Sequence, residues 1–148
     1  MVETRSTNRQ WLADDLTVVE AMAAELETYI VHGEPYRALF ISTTSGRYKV
    51  TMSGGDLLVR LKRLRENLEA LPLEEQVRFK NVASNIHRTI YSLHTPFHNL
   101  LRHELKARRD QLKWNMEMRH ARDDDKADPA ELQNRQHIAA IQEELQET

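Results

Sequence analysis

A seven-residue repeat of apolar side chains runs through the middle of the chain and constrains its fold more than any other feature. This first seam alternates steps of four and three residues: Phe79, Ala83, Ile86, Ile90, Leu93, Phe97 and Leu100. Such steps keep the side chains on one face of a helix, as in a coiled coil. A second seam then takes over, consisting of Leu101, Leu105, Leu112 and Met116. Together the two seams predict one long helix over about residues 73–123.

The change of seam lies close to Pro96, which removes a backbone donor and favours a kink. An unbroken helix of the predicted span would be roughly 75 Å long. A compact domain of 148 residues has a radius of gyration of only about 15 Å. The helix therefore bends, or half of it projects and pairs with another chain. We expect a homo-oligomer, most simply a homodimer, formed through this helix or the last one.

Three further helices are indicated by the same periodicity. The first spans about residues 12–32, with its apolar face at Leu16, Val19, Ala23, Leu26 and Ile30. The second begins at Ser53 or Asp56, either of which can cap it, and ends near Pro72; its seam is Leu57, Leu61, Leu64, Leu68 and Leu71. The last spans about 129–146, with Asp128 as N-cap. Its apolar stripe is sparse, so we expect it to dock at the periphery or to swap to a partner.

Between the first two helices the period changes from helical to alternating. Tyr48, Val50 and Met52 alternate with polar residues, which is typical of a half-buried strand. A β-hairpin pairing about 38–43 with 47–52, within an insertion at 36–53, is predicted. The fold class is therefore mainly α: a single domain over 1–148, a four- to five-helix bundle with one long helix and a small hairpin, preceded by a flexible tail at 1–10.

Composition narrows the function classes. The chain has a formal net charge of −2 and no cysteine, so disulfides, thiolate nucleophiles and cysteine-type zinc sites are excluded. This charge gives no general attraction to nucleic acid or acidic membranes, which makes nucleic-acid binding an unfavoured function. No signal peptide or membrane span is visible, so we expect a cytoplasmic protein without membrane association. No cofactor motif is present, and no cofactor is predicted.

Four of the seven histidines lie in the stretch NIHRTIYSLHTPFHNLLRHELK, at residues 85–106. His94 and His98 are four residues apart and could share one metal ion. His87 is about 10.5 Å from His94 along the helix axis, too far to join them. A third ligand would come from another helix, for example from Glu20, Glu25 or Glu27. The alternatives are a half-buried flank of the first seam, acid–base catalysis or pH sensing.

A basic stripe follows the histidines at Arg102, Lys106, Arg109 and Lys113. Spacing of four and three residues places these side chains on one side of the helix, where they could contact phosphates or nucleic acid. A solvated face is the alternative, as is a charge match with Glu143, Glu144 and Glu147 of the last helix.

The dipeptide Gly54-Gly55 lies between a predicted strand and a helix, in the position of a phosphate-binding loop. It lacks both the GxxxxGK[ST] lysine and the GxGxxG spacing, so a tight turn ending in a cap is favoured.

Arg88 and His94 are separated by five residues and resemble the R-x4–6-H motif of HEPN-type ribonucleases, which are dimeric helical bundles. The resemblance implies an arginine that stabilises phosphate charge and a histidine that acts in acid–base transfer. Thr89 departs from the Asn, Asp or His common after that arginine. We therefore expect a non-catalytic, homo-oligomeric interaction or scaffold protein. The alternatives are a metal-binding or HEPN-like protein using Arg88, His94 and His98, and a nucleic-acid-binding protein using the stripe.

Overall fold

The structure is a computed structural model that describes residues 16–122 and 129–147. The described part is mainly α-helical with one antiparallel hairpin, which confirms the predicted fold class. Its helices are α1 (Leu16–Val31), α2 (Pro35–Ala38), α3 (Gly54–Glu69), α4 (Leu73–Arg78), α5 (Lys80–Ala121) and α6 (Pro129–Glu147). Its strands are β1 (Ile41–Ser45) and β2 (Tyr48–Met52). None of the described helices has the length and apolar character needed to cross a membrane. The predicted tail at 1–10 lies outside the described residues.

The long helix exists but begins later than predicted. The chain leaves helical geometry at Phe79, with φ −104° and ψ 15°, and α5 then runs unbroken for 42 residues, or roughly 63 Å. Residues 73–78 form the separate helix α4 instead. Gln76 ties α4 to the end of α3, because its side-chain amide donates hydrogen bonds of 2.7 Å to the carbonyls of both Glu69 and Leu71. These bonds satisfy backbone acceptors where α3 ends.

One hydrophobic core takes in most of the first seam and the start of the second. Its members on α5 are Ile86, Ile90, Leu93, Phe97, Leu101 and Leu105, which are all buried. They pack against the apolar faces of α1 and α3 and, through Ile141, against α6. The first seam leaves the core at its N-terminal end, where Phe79 is exposed. Beyond Leu105 the second seam also leaves it, so the distal half of α5, residues 101–121, has buried apolar residues only at Leu101 and Leu105.

The hairpin is confirmed with shifted bounds. Ile41 pairs with Met52 and Ser45 with Tyr48, and a two-residue turn with Gly46 at φ +58° joins the strands. The predicted start at residue 38 is wrong because Pro35, with its fixed φ, begins the single turn α2 there. Val50 and Met52 face the core while Thr51 is exposed, which is the alternation that the sequence indicates.

The start of α3 identifies the role of the two glycines. Ser53 is the N-cap, and its hydroxyl accepts a hydrogen bond of 3.0 Å from the backbone N–H of Asp56. Asp56 lies in the first turn, where the helix dipole favours its charge. A Cβ on Gly54 would lie 2.6 Å from Cε2 of Phe97, so only glycine fits this close approach.

Candidate functional site

The two histidines predicted to share a metal ion lie together. The rings of His94 and His98 stack with their centroids 4.4 Å apart and their planes 29° apart. His98 is only 9% exposed, because it lies three and seven residues before Leu101 and Leu105 and so shares the face of the second seam. The histidine pair therefore extends the second seam towards the N-terminus of α5.

The surroundings of the pair are positively charged. Burial lowers the pKa of His98, and the positive charges of His94, Arg102 and Lys62 lower it further. Within residues 16–122 and 129–147 no three His, Asp or Glu side chains are grouped so that they could hold a metal ion. A metal site at His94 and His98 therefore stays a prediction, one that the nearby cations oppose.

An open groove lies between α3 and α5, beside the histidine pair. This histidine groove has a volume of about 260 Å³. Its polar lining is Lys62 and Arg65 from α3 and His87, Tyr91, His94 and Thr95 from α5. The lining residues of α5 recur at steps of three and four, which places them on one face of the helix. Two helices thus combine cations and imidazoles along one open cleft.

Arg88, the other residue of the HEPN-like motif, is exposed and is not among the groove's described lining residues. The cations that line the groove together with His94 are Lys62 and Arg65. The ribonuclease interpretation of Arg88 and His94 stays a prediction.

A second polar cluster, which the sequence did not reveal, lies where α2, α5 and α6 meet. The hydroxyl of Tyr36 donates a 2.7 Å hydrogen bond to Oε1 of Glu104, and Nε of Arg108 donates one of 2.6 Å to the same oxygen. The ring of His137 lies against that of Tyr36, at 4.5 Å between centroids. Nη1 of Arg108 also donates to Oδ1 of Asn134 at 3.4 Å. The cluster holds α6 and α2 against the middle of α5.

Burial and charge shift the titration of this cluster. Burial raises the pKa of Tyr36, with the Glu104 carboxylate adding to the effect, to about 12. Burial alone would raise the pKa of Glu104, but hydrogen bonds from Arg108 and Tyr36 outweigh it and the pKa is lowered. The cluster therefore favours an ionised Glu104 beside a neutral Tyr36.

The predicted basic stripe is divided between two places. Arg102 is close enough to His98 to lower its pKa, whereas Arg109 and Lys113 line a cavity of about 800 Å³ in the distal half of α5. The other described walls of this distal groove include Leu112, Met116 and Glu117.

The predicted acidic partners of the stripe lie on α6. Among them, Glu144 accepts a 3.1 Å hydrogen bond from the backbone N–H of Gly55, which places its carboxylate at the N-terminus of α3. The side chain of Glu147 lies outside the described part.

The distal half of α5 also presents large apolar side chains to solvent. Trp114 is 56% exposed, Met116 and Met118 are exposed as well, and so is Leu132 of α6. Polar contacts join this half to the start of α6, where Nε of Arg119 lies 2.9 Å from Oε1 of the fully buried Glu131. Neither carboxylate oxygen of Glu131 forms an aligned hydrogen bond among the described residues, so the contact is an ion pair alone.

Comparison of the chain with models of protein families, with curated proteins and with solved structures finds no match.

Proposed function

We propose that the protein is a non-catalytic interaction protein that acts as a homodimer joined through the distal half of α5. The observation that carries this proposal is Trp114, 56% exposed and one residue from Lys113 of the distal groove. Tryptophan has a large contact area, and exposed tryptophans are concentrated at protein interfaces. A second copy of the chain would cover it.

The distal groove supports a second copy as the occupant. A cavity of about 800 Å³ with Leu112 and Met116 in its wall can accept a large aromatic side chain. In a two-fold dimer each copy presents the same patch to the other. Each copy can then insert its protruding Trp114 into the distal groove of the other copy, so that both grooves are filled.

One pair of opposite charges in the otherwise basic lining of the groove also suits self-association. Arg109 and Glu117 both line it and lie eight residues apart, about 80° from each other around the axis of α5. When two such helices pair antiparallel about an axis between these positions, Arg109 of one copy meets Glu117 of the other. The opposite charges of these two residues favour this register, while Lys113, midway between them, lies at the axis in both copies and opposes it.

The location is a separate point. The chain has no cysteine and so forms no disulfide that would need an oxidising compartment, which supports a cytoplasmic location.

Light scattering coupled to size-exclusion chromatography tests the dimer. We expect the wild-type chain to elute as a dimer at micromolar concentration and the Trp114→Ala variant to elute as a monomer. Phe40→Ala is the matched control, because Phe40, which precedes β1, is an exposed aromatic residue outside α5 and the distal groove. Wild-type chain that remains monomeric at high micromolar concentration would falsify the proposal. Circular dichroism on each variant separates loss of the dimer from loss of the fold.

A further inference from the structure

Positive charge is concentrated at the histidine groove, mainly on its α3 wall. Lys62 and Arg65 project from α3, and none of the groove's described lining residues is a carboxylate. Arg102 adds its charge nearby, since it lowers the pKa of His98 together with Lys62. An open cleft lined by cations and without a facing acid attracts anions.

Lys62 is the cation best placed to bind a ligand. It is partly buried at the groove, and within the described residues no carboxylate lies within ion-pair distance of its ammonium group. Two other cations of α3 differ in this respect, since Arg60 pairs with Asp56 at 3.3 Å and Arg65 with Glu69 at 4.0 Å. A partly desolvated ammonium group without a counter-ion gains more from an anion than an exposed one does.

Arg65 and His87 add hydrogen-bond donors at the end of the groove. Nη1 of Arg65 lies 3.3 Å from Nδ1 of His87, a geometry in which the guanidinium donates and the imidazole nitrogen accepts. The neutral ring of His87 then carries its hydrogen on Nε2, so this nitrogen is a donor. Arg65 keeps further N–H groups, because its contact with Glu69 is long, at 4.0 Å.

We propose that the histidine groove binds a phosphate group, held by Lys62 and Arg65 with His87 and His94 as imidazole donors. A phosphate offers several charged oxygens at once, which matches donors that converge from two helices. A volume of about 260 Å³ holds such a group with part of its hydration. The hydroxyls of Thr95 and Tyr91 border the same cleft and can donate to the outer oxygens or to a group that the phosphate carries.

Titration of the full-length chain with inorganic phosphate, followed through the histidine side-chain NMR signals, tests this site. We expect saturable shifts of His87 and His94. Lys62→Met keeps the aliphatic stem and removes the charge, and should weaken phosphate binding by about tenfold. Arg63→Met is the matched control, because Arg63 is the next residue of α3, carries the same charge and does not line the groove. It should change the affinity by less than about twofold.

Two results would overturn the proposal. The first is histidine shifts that never saturate with phosphate. The second is an equal loss of affinity in Lys62→Met and Arg63→Met, because that would indicate general charge screening. Titration with a nucleoside monophosphate and with a short single-stranded RNA then identifies the source of the phosphate. Tighter binding of the mononucleotide assigns a terminal phosphate. Tighter binding of the RNA, lost in Lys62→Met, assigns a backbone phosphate. The dimer measurement is independent of these outcomes, since the histidine groove and Trp114 lie on different parts of α5.

Discussion

Tyr36 and Glu104 lie 68 residues apart in the chain and are joined by a 2.7 Å hydrogen bond, donated by the tyrosine hydroxyl to the carboxylate. The bond ties the single turn α2 to the middle of α5. Arg108 reinforces it by donating to the same carboxylate oxygen, while its guanidinium carbon lies 5.5 Å from the centre of the Tyr36 ring. Because a four-residue helix has no stability of its own, α2 depends on this contact and on the burial of Ala38.

Tyr36 should make the stability of the fold depend on alkaline pH. Its pKa is about 12 in the folded chain and ordinarily 10.0, so the folded state retains the phenolic proton more firmly than the unfolded state. A raised pKa gives stability that is complete below pH 10 and is lost as the pH rises towards 12. Two pKa units correspond to an upper bound of about 3 kcal/mol. Urea unfolding between pH 9 and 12 should show the unfolding free energy falling across this window.

Tyr36→Phe is the control for that measurement, because the wild-type curve also contains the lysines and the other tyrosines. The difference between the two curves should decrease above pH 10. At neutral pH the variant should lose about 1.5–3 kcal/mol, the usual contribution of a hydrogen bond to a charged group. Parallel curves for the two proteins would show that Tyr36 ionises as freely in the folded chain as in the unfolded one.

Glu104 should make the stability of the fold depend on pH in the acidic range. Its pKa lies below the ordinary 4.5 because the hydrogen bonds from Arg108 and Tyr36 outweigh its burial. A lowered pKa gives stability that is present above pH 4.5 and is lost as the pH falls through the folded-state value. Glu104→Gln should therefore destabilise the fold by about 1–3 kcal/mol at pH 7, and by progressively less as the pH falls below 4.5. Thermal unfolding of both proteins across pH 3–7 measures the difference. A constant difference over that range would contradict the prediction.

His98 should titrate below the ordinary histidine value of 6.5, because it is buried and lies among the charges of His94, Arg102 and Lys62. The imidazole is then neutral at pH 7, and its contribution to stability, present above pH 6.5, is lost as the pH falls further. NMR titration of the folded chain gives the value directly. Lys62→Met should move it upward by removing one cation, whereas Arg63→Met, with its exposed side chain, should leave it in place. A His98 pKa at or above 6.5 in the wild-type chain would show that the ring is hydrated.

The elements that the sequence predicted are those in which a local period determines the structure. The first seam places α5, and the alternation around Val50 places β2, because burial on one face imposes a period of 3.6 or 2 residues. Even the burial of His98 had a local signal, since His94, His98, Leu101 and Leu105 recur at steps of four, three and four. Measured from the first seam, these histidines lie on its flank, so the period of that seam alone predicts them to be half-buried.

The parts that were missed depend on contacts between distant residues. Nothing near Tyr36 indicates that it meets Glu104 and His137, because a polar residue carries no period that names its partner. The i,i+4 pair of Glu104 and Arg108 was the only local signal, and such pairs are common on solvated helices. The break at Phe79 was hidden for a similar reason. Phe79 continues the first seam in the sequence, yet Pro72 and the capping amide of Gln76 start a separate helix before it.

Gly54 and Gly55 provide a matched pair of substitutions in one turn of α3. Alanine generally favours a helix over glycine by up to about 1 kcal/mol, so propensity alone predicts that both changes stabilise. At Gly54 the new Cβ would lie 2.6 Å from Cε2 of Phe97 and 2.8 Å from the carbonyl oxygen of Ala38, and both groups are buried and fixed. The steric cost of overpacking, about 1–3 kcal/mol, then exceeds the gain. At Gly55 the Cβ meets the carboxylate of Glu144, the flexible end of a side chain that can move aside.

Urea unfolding should rank Gly54→Ala as the more destabilised variant, with Gly55→Ala within about 1 kcal/mol of wild type. The reverse order would mean that α3 and Phe97 are not in this close contact, and that the carboxylate of Glu144 at the helix N-terminus contributes more than the packing beside it.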